Sequence, residues 1–195
     1  MKILNIKSKM IRSKICFYCL SVFFCNVFSC TSEKNNQKKE IYQELSSFIG
    51  TKIILQTNNL LPINFPDTLD SNYFVKSKYK IFHFIDNYGC SGCKIGKLSS
   101  WNDLYKRSDY NGIPIIIIIH TNVISELKSL MRRNGFTFAY FVDFKNSFFN
   151  TNLKLPQREL LRTFLTRNDT VILVGNPLKN QELDKMYRRE IVKNF

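Results

Sequence analysis

Residues 115–119 are five consecutive isoleucines. A strand with one wet face alternates apolar and polar side chains, whereas this run offers only β-branched apolar groups to both faces. Both faces must then be covered. That is the position of a central, parallel strand with helices above and below it. Such a strand commits the remaining chain to supplying neighbours and two layers of helix.

The flanking sequence reads that way. Residues 39–49 place Ile41, Leu45, Phe48 and Ile49 on one helical face, and residues 52–55 read as a short strand after Gly50. Residues 56–78, with Pro62 and Pro66, read mostly as loop. Residues 79–85 form a second apolar strand, followed by a helix whose Ile95, Leu98, Trp101 and Tyr105 share a face. Beyond the isoleucines, Asn122 stands where it can cap a helix that reaches Gly135, with Val123, Ile124, Leu127, Leu130 and Met131 at helical spacing. Residues 136–142 return as a strand. After a loop containing Pro156, residues 160–165 and 170–174 flank the turn Arg167-Asn168-Asp169. Residues 181–192 close the chain as a helix with Leu183, Met186, Tyr187 and Ile191 inward. The order predicts an α/β fold, a mixed central sheet with helices on both faces.

The N-terminus carries different information. Residues 1–29 hold Lys2, Lys7, Lys9, Arg12 and Lys14 and no acidic residue, then an apolar run of 14 residues from Ile15 to Phe28. A spanning helix needs about 20, so the pattern predicts a removed signal peptide in preference to a membrane anchor. Cys16, Cys19 and Cys25 leave with it. The 29 basic residues then fall by five to 24 against 15 acidic ones, a net +9 in place of +14. A basic surface suits anionic lipid, nucleic acid or acidic partners. No helix or loop concentrates arginine here, and the excess is dispersed, so nucleic acid is not an expected partner.

Within the mature chain, Gly89-Cys90-Ser91-Gly92-Cys93-Lys94 stands between the strand at 79–85 and the following helix. A Cys-x-x-Cys turn lets two thiols close a small ring, and the helix start behind it favours a thiolate on the first. Cys90 is the candidate nucleophile and Cys93 the resolving thiol. Lys94 adds positive charge near the pair, or simply faces water. Asp86 relays a proton to Cys93 if buried beneath it, or caps the loop together with Asn87. Two other uses of the thiols stay open. His83 and His120 are the two histidines that could complete a zinc site with Cys90 and Cys93, which needs four ligands. Alternatively the disulfide is structural and locks a tethered binding or accessory module. No glycine-rich phosphate loop, His-Glu-x-x-His or Gly-x-Ser-x-Gly element is present, so no cofactor is expected.

Strand, Cys-x-x-Cys at a helix start, βαβ, hairpin and final helix together resemble the thioredoxin fold. More closely the chain resembles the tethered thioredoxin-like thiol-disulfide lipoproteins of the bacterial envelope. The stretches that carry the likeness are Ile81-Phe82-His83-Phe84-Ile85 leading to Cys90-Ser91-Gly92-Cys93-Lys94, and Thr163-Phe164-Leu165 leading to Val171-Ile172-Leu173-Val174-Gly175. Val27-Phe28-Ser29-Cys30 resembles a lipobox, which implies cleavage before Cys30 and lipid on it, with residues 30–39 as a lysine-rich tether and 40–195 as the domain. The alternative is ordinary cleavage nearby and a free Cys30.

The resemblance implies a thiol-disulfide oxidoreductase acting on protein or small-thiol disulfides, coupled to an upstream thiol reductant or oxidant and held to a membrane through Cys30. Two departures are visible. Gly89 stands where the family has an aromatic residue, and Ser91-Gly92 replaces its frequent proline. Leu161 and Arg162 occupy the place of the family's cis-proline, with Pro156 too far upstream to replace it. Either the substrate groove differs or the pair no longer handles protein disulfides.

Overall fold

The structure, a computed structural model, describes residues 35–65, 71–87, 91–107, 110 and 112–192. Strand β2 (Tyr79–Ile85) lies parallel to β3 (Ile115–His120), with Ile81 opposite Ile115 and Ile85 opposite Ile119. Strand β4 (Tyr140–Asp143) adds in parallel beyond β3, and β1 (Leu61–Ile63) closes that edge antiparallel to β4. On the other side β5 (Thr163–Arg167) runs antiparallel to β2, and β6 (Thr170–Val174) antiparallel to β5. The sheet order is β1-β4-β3-β2-β5-β6. The isoleucine strand is central, as its composition requires.

Two apolar layers cover it. Ile81, Ile85, Ile115, Ile117 and Ile119 meet Trp101, Leu127, Met131, Tyr187 and Ile191, while Phe82, Phe84, Ile116 and Ile118 meet Phe48, Phe148 and Leu155 on the opposite face. The first layer is supplied by α3 (Ser91–Gly96), α4 (Trp101–Lys106), α5 (Ile124–Arg133) and α7 (Gln181–Val192). The second draws on α6 (Ser147–Thr151). Helix α1 covers residues 35–48, and the compact unit that carries the sheet runs Leu45–Phe195. No helix among the described residues is long and apolar enough to cross a membrane.

Several sequence expectations are corrected. The stretch read as loop at 56–78 contains β1 and a six-residue helix, α2 (Ser71–Lys76). Pro62 does not prevent β1, because an edge strand bonds on one side only. Residues 52–55 form no strand; Lys52 makes an isolated bridge to Thr170. The helix expected over 95–105 begins at Ser91 and is broken into α3 and α4 by a tighter 3-10 turn, Lys97–Ser100. The Ser100 hydroxyl there donates to the Lys97 carbonyl at 2.8 Å, a local bond that competes with helix propagation. Asn122 does not cap α5, whose cap position is Val123 without a side-chain bond.

The strand expected over 136–142 shortens to β4, since Phe136 packs into the core without pairing. The run at 160–165 is interrupted at Arg162: Glu159–Leu161 is a 3-10 turn and β5 starts at Thr163. Between β5 and β6, Asn168 and Asp169 both take positive φ (50° and 64°), the left-handed pair that a two-residue hairpin requires. Helix α6 was not anticipated. Its first turn is held by the buried Asp143 carboxylate, which accepts from the Ser147 and Phe148 backbone N–H groups at 2.9 and 2.8 Å.

Candidate functional site

Strand β2 delivers the chain to Asp86, and α3 resumes it at Ser91, so Cys93 stands in the first turn of a helix that follows a central strand. Cys93 is exposed and disulfide-bonded. Every other cysteine, including Cys90 and Cys30, lies outside the described residues, as does the expected signal segment.

Asp86 is the electrostatic centre of this end of the sheet. Its side chain is 8% exposed, with one oxygen bound by Arg162 Nη1 and the other by Lys94 Nζ. Burial alone would raise the carboxyl pKa; the hydrogen bonds from Arg162 and Lys94, with their charges, outweigh it and hold the group below its ordinary value. Asp86 is thus paired with two cations, while the loop that the sequence suggested it caps together with Asn87 continues into residues 88–90, which lie outside the described residues. Lys94 does not simply face water: it bonds Asp86 and lies 3.7 Å from Glu159.

Arg162 stands immediately before β5, in the place where the resemblance implies a cis-proline. No cis peptide bond occurs among the described residues. The Arg162 side chain, 5% exposed, donates from Nε to Pro156 O (2.9 Å) and from Nη2 to Gln157 O (2.6 Å) besides its bond to Asp86. The guanidinium also lies 5.7 Å from the Phe84 ring centroid. Its backbone carbonyl accepts from Phe84 N at 3.0 Å. One arginine thus ties the end of β2, the start of β5 and the 156–157 loop together. In the sequence Arg162 stands out only as a departure from the family's cis-proline. The available signal was a cation inside the apolar run Leu160-Leu161-Arg162-Thr163-Phe164-Leu165, where an unpaired charge would not be tolerated. Glu159, Lys97 and Lys179, which also stand around this end of the molecule, carried no such signal.

The two histidines are not brought together. His83 Nδ1 bonds the Thr163 hydroxyl at 2.8 Å, and its ring lies 4.8 Å from Trp101. His120 Nδ1 lies 2.7 Å from the Asp143 carbonyl, which can only accept, so Nδ1 carries the proton. Among the described residues no group of three or more His, Cys, Asp and Glu is placed to hold a metal. Trp101 is buried in the core, as its place on the shared helical face suggested.

Burial, with a smaller contribution from the Lys179 charge, lowers the His83 pKa from 6.5 to about 3. Between those values the unfolded chain binds a proton that the folded chain refuses, so stability is full above the ordinary value and falls as pH drops toward the folded one. The limiting slope is about 1.4 kcal/mol per pH unit. Urea midpoints should therefore fall between about pH 6.5 and about pH 4, and His83→Phe should flatten that part of the curve. An unchanged slope in the variant would remove His83 as its source.

No family model matches the chain, and no curated protein matches it. Solved structures do. The C-terminal domain of a candidate thiol-disulfide oxidoreductase from Bacteroides thetaiotaomicron superposes with a TM-score of 0.52 at 17% identity, covering 75% of this chain and 98% of that one. A candidate thiol:disulfide interchange protein DsbE from Chlorobium tepidum gives 0.52 at 12% identity, covering 73% and 97%. At such identities the likeness is one of fold. With its central parallel strands, antiparallel hairpin and Cys93 at the helix start after β2, the chain has the thioredoxin-like fold.

Proposed function

We propose that this protein is a thiol-disulfide oxidoreductase of the bacterial cell envelope, exported and anchored through lipid on Cys30, and that Cys90 and Cys93 are its exchanging pair. The observation that carries the reading is the disulfide at Cys93: it is exposed, and it stands at the helix start where a thioredoxin-like fold presents reactive thiols. A disulfide that merely locked a module would gain little from so short a loop and would be better buried.

In the reducing direction, the Cys90 thiolate attacks one sulfur of a substrate disulfide and expels the other as a thiolate, leaving a mixed disulfide. The Cys93 thiolate then attacks the Cys90 sulfur, releases the second substrate thiolate and closes the Cys90–Cys93 bond. Two electrons pass to the substrate, and an external dithiol returns them. Asp86, Arg162 and Lys94 hold the platform on which this occurs, with Asp86 as a fixed negative charge between two cations.

The reduction potential of the pair tests the reading. A fragment starting at Thr31, equilibrated in graded thiol buffers and read by alkylation, should give a value between about −120 and about −270 mV, the range of exchange proteins. A bond below about −300 mV would mark a structural disulfide and overturn it.

A further inference from the structure

A cavity of ≈290 Å³ runs along the helix that carries Cys93, between β2, the Lys97–Ser100 turn and the loop after β6. Its lining includes His83, Trp101, Lys94, Lys97, Lys179 and Glu159. Three lysines and one glutamate therefore line it. Lys94 is already engaged by Asp86 and Glu159. Lys97 and Lys179 are exposed, and neither has an ion-pair partner among the described residues.

After burial, the charge of Lys179 is the second cause that keeps the His83 ring from taking a proton. His83 is thus neutral. With Nδ1 at the Thr163 hydroxyl, its other ring nitrogen has no hydrogen-bond partner among the described residues. A wall of His83 against Trp101, with surplus ammonium groups beside it, suits a small anion that also carries apolar carbon. A cationic ligand would meet like charge.

Resting on the exchange activity proposed above, we propose that this cavity selects the substrate. It takes the carboxylate of a low-molecular-weight thiol or disulfide, held by Lys97 and Lys179, while the sulfur end reacts at the Cys90–Cys93 turn. When such a thiol reduces the pair, its thiolate attacks one sulfur of the Cys90–Cys93 bond and forms a mixed disulfide. A second thiol displaces the first as a small-molecule disulfide, so two thiols are oxidised and the protein pair is reduced.

Trp101 is the sole tryptophan of the chain and lines the cavity, so its fluorescence reports occupancy without any redox step. Succinate, a dicarboxylate with no sulfur, should give a saturable fluorescence change with the full mature chain and none with the Lys97→Ala/Lys179→Ala double variant. Both replaced side chains are exposed, and denaturant midpoints should confirm that the double variant is folded. In parallel, the variant should be reduced by mercaptopropionate roughly ten-fold more slowly than the parent at low salt, the lower end of electrostatic steering effects. Its rate with neutral mercaptoethanol should be unchanged, and with cationic cysteamine unchanged or faster. No saturable signal in the parent, an undiminished one in the variant, or equal slowing with all three reagents overturns the carboxylate site. A succinate signal in a protein that none of the thiols reduces keeps the anion site and overturns the oxidoreductase reading and the substrate role built on it.

Discussion

Arg162→Ala should lower the unfolding free energy by about 3–5 kcal/mol, the cost of leaving a buried charge without its partner. The reasons are specific. Asp86 and Arg162 are 8% and 5% exposed, so water cannot replace the lost guanidinium. The same substitution leaves the Pro156 and Gln157 carbonyls without their donors. Lys94 remains on the other Asp86 oxygen and softens the loss without cancelling it. With one cation gone, the Asp86 carboxyl should titrate at a higher pH, and the acid limb of the stability curve should move with it. The sign follows from the depressed carboxyl: its contribution is present above the ordinary carboxylate range and is lost as pH falls through the lowered value.

Removing both charges, as in Asp86→Asn with Arg162→Met, should cost less than Arg162→Ala alone, because the buried carboxylate no longer lacks its guanidinium and Lys94 keeps Glu159 at 3.7 Å. Denaturant unfolding of the four species of that cycle measures the coupling directly. Additive losses would show that the pair is not energetically linked, and that this end of the sheet is held by packing alone.

Cys93→Ser should abolish turnover, leaving only the background rate of uncatalysed exchange, while leaving the first chemical step intact. In the proposed mechanism Cys90 still attacks a substrate disulfide, but no second thiolate returns to the Cys90 sulfur, so the mixed disulfide accumulates. Its mass should equal that of the protein plus one half of the substrate disulfide, and added dithiol should release it. Because Cys93 is exposed, the loss of its bond should disturb the core little. A variant that turns over normally would remove Cys93 from the chemistry. A variant that unfolds would instead mark the disulfide as structural.

The layered fold was legible because hydrophobic pattern is a local property with a global consequence. Five isoleucines have no dry environment except between two covered faces, and the structure places them between β2 and β4 with apolar layers on both sides. The hairpin turn at Asn168 and Asp169 was legible for a similar reason, since those side chains tolerate positive φ. Short elements were not. β1 with three residues and α6 with five offer less than two periods of any pattern, and both depend on partners far along the chain. Asp143, which holds the first turn of α6, lies in the preceding strand and reads in sequence as an ordinary strand terminus.

For the candidate site the division falls between chemistry and its surroundings. Sequence alone determined that Cys90 and Cys93 stand three positions apart between an apolar strand and a helical pattern, because that motif is contiguous. Only the tertiary structure decided what Asp86 is. Its partners, Lys94 and Arg162, are eight and 76 positions away, and the second is joined to it by the antiparallel pairing of β2 with β5. The same pairing sets Thr163 against His83, and the loop after β6 brings Lys179 to the cavity that His83 lines. Ion pairing and desolvation depend on distance in space, which a linear order does not encode until the sheet has closed.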